Sequence, residues 1–213
     1  MSIRISWADK PTPIQEVIVG LDPEIIKDIP NPSVASQLIA INHRAHLIKH
    51  IHDPCEEVQI AAVSRVPEAI LYIDNPTNAV IDLAVSKRGS LLQHFVDVVS
   101  DATKLAALKS FGSAIRYIKN PTEEMQLAAI NNYVHSFRDI SNPTERVKIS
   151  AVKMNPYIIS QIDNPTDTMM LEAIKADSRA ILYINNPNKE IVDYILDNDP
   201  RQIYWCHHAW SID

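Results

Sequence analysis

An alanine followed by a larger aliphatic residue recurs along the chain, at Ala40-Ile41, Ala62-Val63, Ala84-Val85, Ala107-Leu108, Ala129-Ile130, Ala151-Val152 and Ala173-Ile174. The interval is 22 residues each time except between Ala84 and Ala107, where it is 23. Seven positions after each aliphatic residue stands another apolar one (Ile48, Ile70, Leu92, Ile115, Phe137, Ile159, Ile181), and three further on comes Ile51, Ile73, Phe95, Ile118, Ile140, Ile162 or Ile184. Polar residues fill most of the space between. An apolar set this small cannot enclose a core alone, so the period predicts a stacked array in which neighbouring units bury each other's faces.

Counted from their prolines, nine units open near Pro11, Pro32, Pro54, Pro76, Val99, Pro121, Pro143, Pro165 and Pro187, with Val99 in a proline's place. With the proline as slot 1, the alanine is slot 9 and the apolar positions are slots 10, 17 and 20. Slot 22 is Asn or Asp in Asn31, Asp53, Asn75, Asn120, Asn142, Asn164 and Asn186. An Asn or Asp before proline is pushed out of the α region and accepts first-turn amides, and proline suits the first helical position, so slots 22 and 1 predict a helix start. Glu123 and Glu145 stand three residues after Asn120 and Asn142, the spacing of a capping box. A second start is expected at Asp22-Pro23, Val66-Pro67, Asn155-Pro156 and Asp199-Pro200, with Gly89 and Gly112 at the same place in other repeats. Slot-9 alanine fits a close approach of two helix backbones. The expected fold is all-α, a right-handed α-solenoid of about nine two-helix repeats, forming one domain over 1–213 with terminal caps at 1–10 and 207–213.

Three departures modify this picture. Asp82 and Asp193 hold slot 7, which is aliphatic in most repeats, and Ile81 and Val192 are expected to take over the packing there. The stretch Asp97–Asp101 carries one extra residue and no proline, which predicts a local change of curvature. Trp7, Trp205 and Trp210 lie at the two ends, where terminal repeats must cover exposed core edges.

Composition narrows the class. Hydrophobic residues make up 46% and charged ones 22%, the balance of a water-soluble, core-forming chain rather than a disordered one. A formal net charge of −6 argues against a protein that coats nucleic acid non-specifically. Cys55 and Cys206 are far apart, which suits thiols in a reducing compartment. The first residues lack the apolar core of a signal peptide, and no apolar run is long enough to span a bilayer, so a cytoplasmic location in a bacterial or phage-infected cell and no membrane partner are expected.

The stretch "AIRYIKNPTEEMQLAAI", Ala114 to Ile130, resembles the consensus of short tandem helical repeats found in proteins of bacteriophages, giant viruses and some bacteria, a domain family of unknown function. The likeness runs from about Pro11 to Cys206. It implies the solenoid and a phage or bacterial origin, and it brings no catalytic motif. HEAT and variant leucine-rich repeats are similar in kind, by analogy only.

Candidate chemistry concentrates at variable slots. Slot 19 carries His50, Tyr72, His94, Tyr117, Asp139, Gln161, Tyr183 and Trp205, a row that either rims the packing between repeats or lines a groove for a partner. Basic residues form a row, with Arg116 and Arg138 at slot 18 and Arg179 at slot 15, while Glu56, Glu123 and Glu145 open first helices. Helix dipoles alone predict such a split; the functional alternative is that the arginines clamp phosphates or carboxylates. His43, His46, His50 and His52 lack a recurring Cys or carboxylate at ligand spacing, so no metal is expected. With no nucleophile elbow, phosphate loop or dinucleotide fingerprint, neither catalysis nor a cofactor is expected. The reading is a non-enzymatic scaffold for another protein. The alternatives are nucleic-acid binding along the basic row, or an acidic mimic that blocks a host nucleic-acid-binding protein.

Overall fold

The computed structural model describes residues 11–202, and among them every regular element is helical. Each repeat contributes a ten-residue α-helix followed by a 3₁₀-helix. The α-helices Val34–His43, Glu56–Arg65, Asn78–Lys87, Asp101–Ser110, Glu123–Asn132, Glu145–Met154, Asp167–Ala176 and Lys189–Asn198 all occupy slots 3 to 12. The second element is a six-residue 3₁₀-helix in most repeats, for example Ala45–His50, Pro67–Tyr72, Val134–Asp139 and Ser178–Tyr183. Three residues per turn puts slots 17 and 20 on one edge, which is why apolar residues three apart fit this tighter helix.

The described chain falls into two compact units, one ending at Ser110 and one beginning at Phe111. In the first, the α-helix Thr12–Leu21 packs on Val34–His43, which packs on Glu56–Arg65, then Asn78–Lys87, then Asp101–Ser110. In the second, Glu123–Asn132, Glu145–Met154, Asp167–Ala176 and Lys189–Asn198 follow in the same manner. Elements thus pack in chain order, as an all-α solenoid requires.

The core sits where the periodicity puts it. All seven slot-9 alanines are fully buried, as are Ile41, Val63, Val85, Leu108, Ile130 and Val152 at slot 10. Ile48, Ile70, Leu92, Ile115, Ile159 and Ile181 at slot 17 are equally enclosed. Leu196 departs from this, being 48% exposed, because its repeat carries Ile195 at slot 9 and buries that larger side chain instead. Phe95 and Ile118 are only half-buried at slot 20.

The helix start differs from the expectation. The N-cap is slot 2, two residues after the slot-22 Asn, and the proline precedes it. Ser33, Thr77, Thr122, Thr144 and Thr166 each accept the amide of the residue three positions on. Glu123 and Glu145 are therefore first helical residues and not the partners of a capping box. Slot 22 instead turns the chain: Asp53, Asn164 and Asn186 hold left-handed backbone with φ of 47°, 51° and 52°, a region that Asn and Asp tolerate better than other L-residues. In the first repeat Pro11 itself takes the cap position. The second start is as read, with Pro23, Pro67 and Pro156 in the first turn and Asp22 and Asn155 accepting an amide.

Cys55 occupies the cap slot of Glu56–Arg65 and makes no side-chain cap bond. A hydroxyl there would accept an otherwise unpaired first-turn amide. Cys55→Ser is expected to raise stability by about 0.5–1 kcal/mol, read as a higher urea midpoint at unchanged slope.

The irregular positions have local explanations. Ile81 is buried as expected, and Asp82 accepts the hydroxyl of Thr103 at 2.6 Å from the next α-helix. Thr103 in turn replaces the larger apolar residue found at slot 5 in most repeats. Asp193 is exposed and Val192 only half-buried. The extra residue near Val99 is absorbed after the single α-turn Leu92–Phe95, where the amides of Val98 and Val99 both bond the Phe95 carbonyl. Trp7, Trp205 and Trp210, and the two terminal caps, lie outside the described residues.

Candidate functional site: clefts between successive repeats

Where one repeat's 3₁₀-helix ends and the chain turns into the next α-helix, the turns of successive repeats leave a cleft. In the first unit it has a volume of about 340 Å³ and is lined by Lys49, Asp53, Pro54, Gln59, Tyr72 and Asp74, among others. In the second unit a cleft of about 440 Å³ is lined by Arg138, Asn142, Pro143, Lys148, Gln161 and Asp163, among others. The two sets match slot for slot: slots 18, 22, 1 and 6 on one wall and slots 19 and 21 of the following repeat on the other. Both are open, polar and partly floored by slot-20 isoleucines.

The turns between repeats are held by bonds within a repeat and across the seam to the next one. Gln37, Gln59 and Gln126 at slot 6 each donate their side-chain amide to the slot-1 proline carbonyl, at 2.8–3.1 Å. The Gln59 and Gln126 side-chain carbonyls also accept the slot-2 amides of the next repeat, Thr77 and Thr144. The same threonines donate their hydroxyls at 2.7 Å to Glu56 and Glu123 of the preceding repeat. That bond, with Arg146 close by, holds the Glu123 carboxyl below its ordinary range. The cap residue thus serves its own helix and the seam at once.

Of the slot-19 residues, Tyr72 lines the first cleft and is 53% exposed. His50 and His94 are exposed and Tyr117 is half-buried. Tyr183 stacks edge-on against Tyr157 at 5.7 Å. Trp205 lies outside the described residues. The row is therefore a set of separate edge positions, of which Tyr72 and Gln161 face clefts.

The basic row is largely engaged. Arg116 pairs with Asp139 at 3.0 Å, and Lys153 and Lys175 both reach Glu172. Asp177 grips Arg179 through two side-chain bonds of 3.0 and 2.7 Å and accepts the Tyr157 hydroxyl at 2.8 Å. Arg138 is exposed and faces the second cleft. Two groups that line the clefts escape a reading of slots 18 and 19: the slot-21 acids Asp74 and Asp163, and slot 6, whose repeated glutamine was the available signal.

The Arg179 guanidinium, assisted by the Tyr157 hydroxyl and the Arg179 amide, holds the Asp177 carboxyl well below the usual carboxylate range against an opposing push from burial. A carboxyl with a depressed folded-state pKa stabilises fully above its unfolded value, about 3.9, and that contribution disappears as pH falls toward the folded value. Asp177→Asn should therefore destabilise most near neutral pH, with the gap to the parent shrinking between about pH 4 and pH 2 in urea titrations. A gap constant with pH would contradict this assignment.

Among the described residues no three His, Cys, Asp or Glu side chains are grouped to hold a metal ion, and no helix is long and apolar enough to cross a membrane. No family model, curated protein or solved structure matches this chain.

Proposed function

We propose that the protein is a non-enzymatic binding scaffold that engages another protein through the inter-repeat clefts. The observation that carries this reading is the recurrence of one cleft, at equivalent slots, in both units. Repeat arrays bind extended partners by offering the same feature repeatedly with different side chains at its edge. Each cleft is lined by slot-20 isoleucines, an exposed aromatic or amide at slot 19 and a long cation at slot 18. Aromatic and arginine side chains of this kind dominate binding energy at protein interfaces.

A nucleic-acid partner fits less well, because Arg116 and Arg179 already have carboxylate partners and releasing either costs that pairing. A phage or bacterial setting is the one that the likeness of the repeats suggests.

Selection of binders to the whole chain from a random peptide library, followed by amide-exchange footprinting, tests the reading. The expected footprint falls on 49–54 with 72–75, or on 137–143 with 161–163. Tyr72→Ala or Arg138→Glu should weaken binding at the corresponding cleft by about tenfold. Footprints away from both clefts would overturn it, as would retardation of duplex DNA at low salt that is lost with Arg138→Glu.

A further inference from the structure

The two clefts occupy equivalent slots but carry opposite formal charge. The first presents Lys49 against Asp53 and Asp74, an excess of one acid. The second presents Arg138 and Lys148 against Asp163, an excess of one base. The reversal comes from two slots: slot 6 is Gln59 in one and Lys148 in the other, and slot 22 is Asp53 in one and Asn142 in the other. Gln59 is committed to the seam on both sides, through the Pro54 carbonyl and the Thr77 amide, so it offers no charge and little free bonding capacity. Lys148, which lines the second cleft at the same slot, carries a positive charge instead.

We infer that the clefts select partner side chains of opposite sign, with the Lys49–Asp74 cleft taking a lysine or arginine and the Arg138–Asp163 cleft taking an aspartate or glutamate. This inference rests on the clefts being the binding surface and adds the chemistry of what enters each. A like-charged side chain leaves water only to meet the majority charge, whereas the opposite one is drawn in and finds a counter-wall that orients it.

The test uses the full chain and two capped glycine-rich pentapeptides, one with two lysines and one with two glutamates. Titrations at pH 8 are followed by amide chemical shifts. The lysine peptide should shift amides at 51–53 and 72–75, and the glutamate peptide those at 137–142 and 161–163. Each should prefer its own cleft by about three- to fivefold at low salt, and the preference should fade at high salt, as expected for exposed charges. Lys148→Gln combined with Asn142→Asp copies the first cleft's chemistry into the second and should transfer the lysine-peptide shifts to 137–142. An unchanged amide spectrum elsewhere shows that the variant is folded. Equal shifts by both peptides at both clefts, or no transfer in the variant, would overturn the charge assignment even if library-selected binders still map to the clefts. No shift at either cleft would overturn it as well, and library binders mapping elsewhere would remove its basis.

Discussion

Gly112→Ala is expected to destabilise the second unit by about 2–4 kcal/mol or prevent its folding. A Cβ built on Gly112 falls 2.3 Å from the Ala129 carbonyl oxygen and 3.2 Å from its carbon, and both belong to backbone of the helix Glu123–Asn132. No side-chain rotation relieves such an overlap; the helix or the chain at Phe111-Gly112 must move. Movement would also break the bond from the Gly112 amide to the Asn132 side-chain oxygen, now 2.7 Å. Gly112 is not in left-handed backbone, since no glycine has a positive φ among the described residues, so the demand is for space and not for conformational freedom. Gly20 supplies the contrast. It lies near the end of the helix Thr12–Leu21, and an added Cβ meets nothing closer than the Ile39 side chain at 4.0 Å. Gly20→Ala should stabilise by about 0.5–1 kcal/mol, because alanine loses less backbone entropy on entering a helix. Urea unfolding of both variants reads the two signs; equal effects would mean that the Ala129 carbonyl is not where the structure puts it.

Ala151→Leu is expected to cost about 1–3 kcal/mol, and more if the repeats cannot part. Ala151 is fully buried in Glu145–Met154, a helix that packs on both Glu123–Asn132 and Asp167–Ala176. A longer side chain at this fully enclosed position must displace its surroundings. The opposite change at the end of the array is also informative. Ile195 fills the same slot in Lys189–Asn198 and is buried, so Ile195→Ala should destabilise by cavity formation, about 2–4 kcal/mol. If Ala151→Leu were tolerated without loss, slot 9 would not be a place of close helix approach.

Slots 9, 10 and 17 were legible because burial by neighbours imposes the same requirement on every copy, and repetition makes that requirement visible in one sequence. The cap was misplaced because Asn and Thr are both good N-cap residues and stand on either side of the same proline. Only the geometry decides that Thr122 and Thr144 cap while Asn120 and Asn142 precede them. The 3₁₀ character of the second element was latent in the spacing of three between Ile48 and Ile51, which a search for helical faces at 3.6 residues per turn passes over. Arg116 with Asp139, Thr144 with Glu123 and Tyr157 with Asp177 join residues about one repeat apart, far outside the one-turn spacing at which charge pairs are ordinarily sought. Those seam bonds decide which cations remain available, and so a row of basic residues reads differently once its partners are placed. The slot-21 acids carried little signal because that slot changes from repeat to repeat, which is also what a binding edge requires.

Spin-label distances within the first unit test the stacking of repeats most directly. With Cys55 and Cys206 replaced by serine, nitroxides at His43 and one of Arg65, Lys87 or Ser110 sample slot 12 in four successive repeats, all exposed. Helices packed side by side in chain order predict separations near 10, 20 and 30 Å, each about one interhelical spacing longer than the last, give or take the label's reach. A distance from His43 to Ser110 no greater than that to Arg65 would mean that the chain folds back on itself and is not a stacked array.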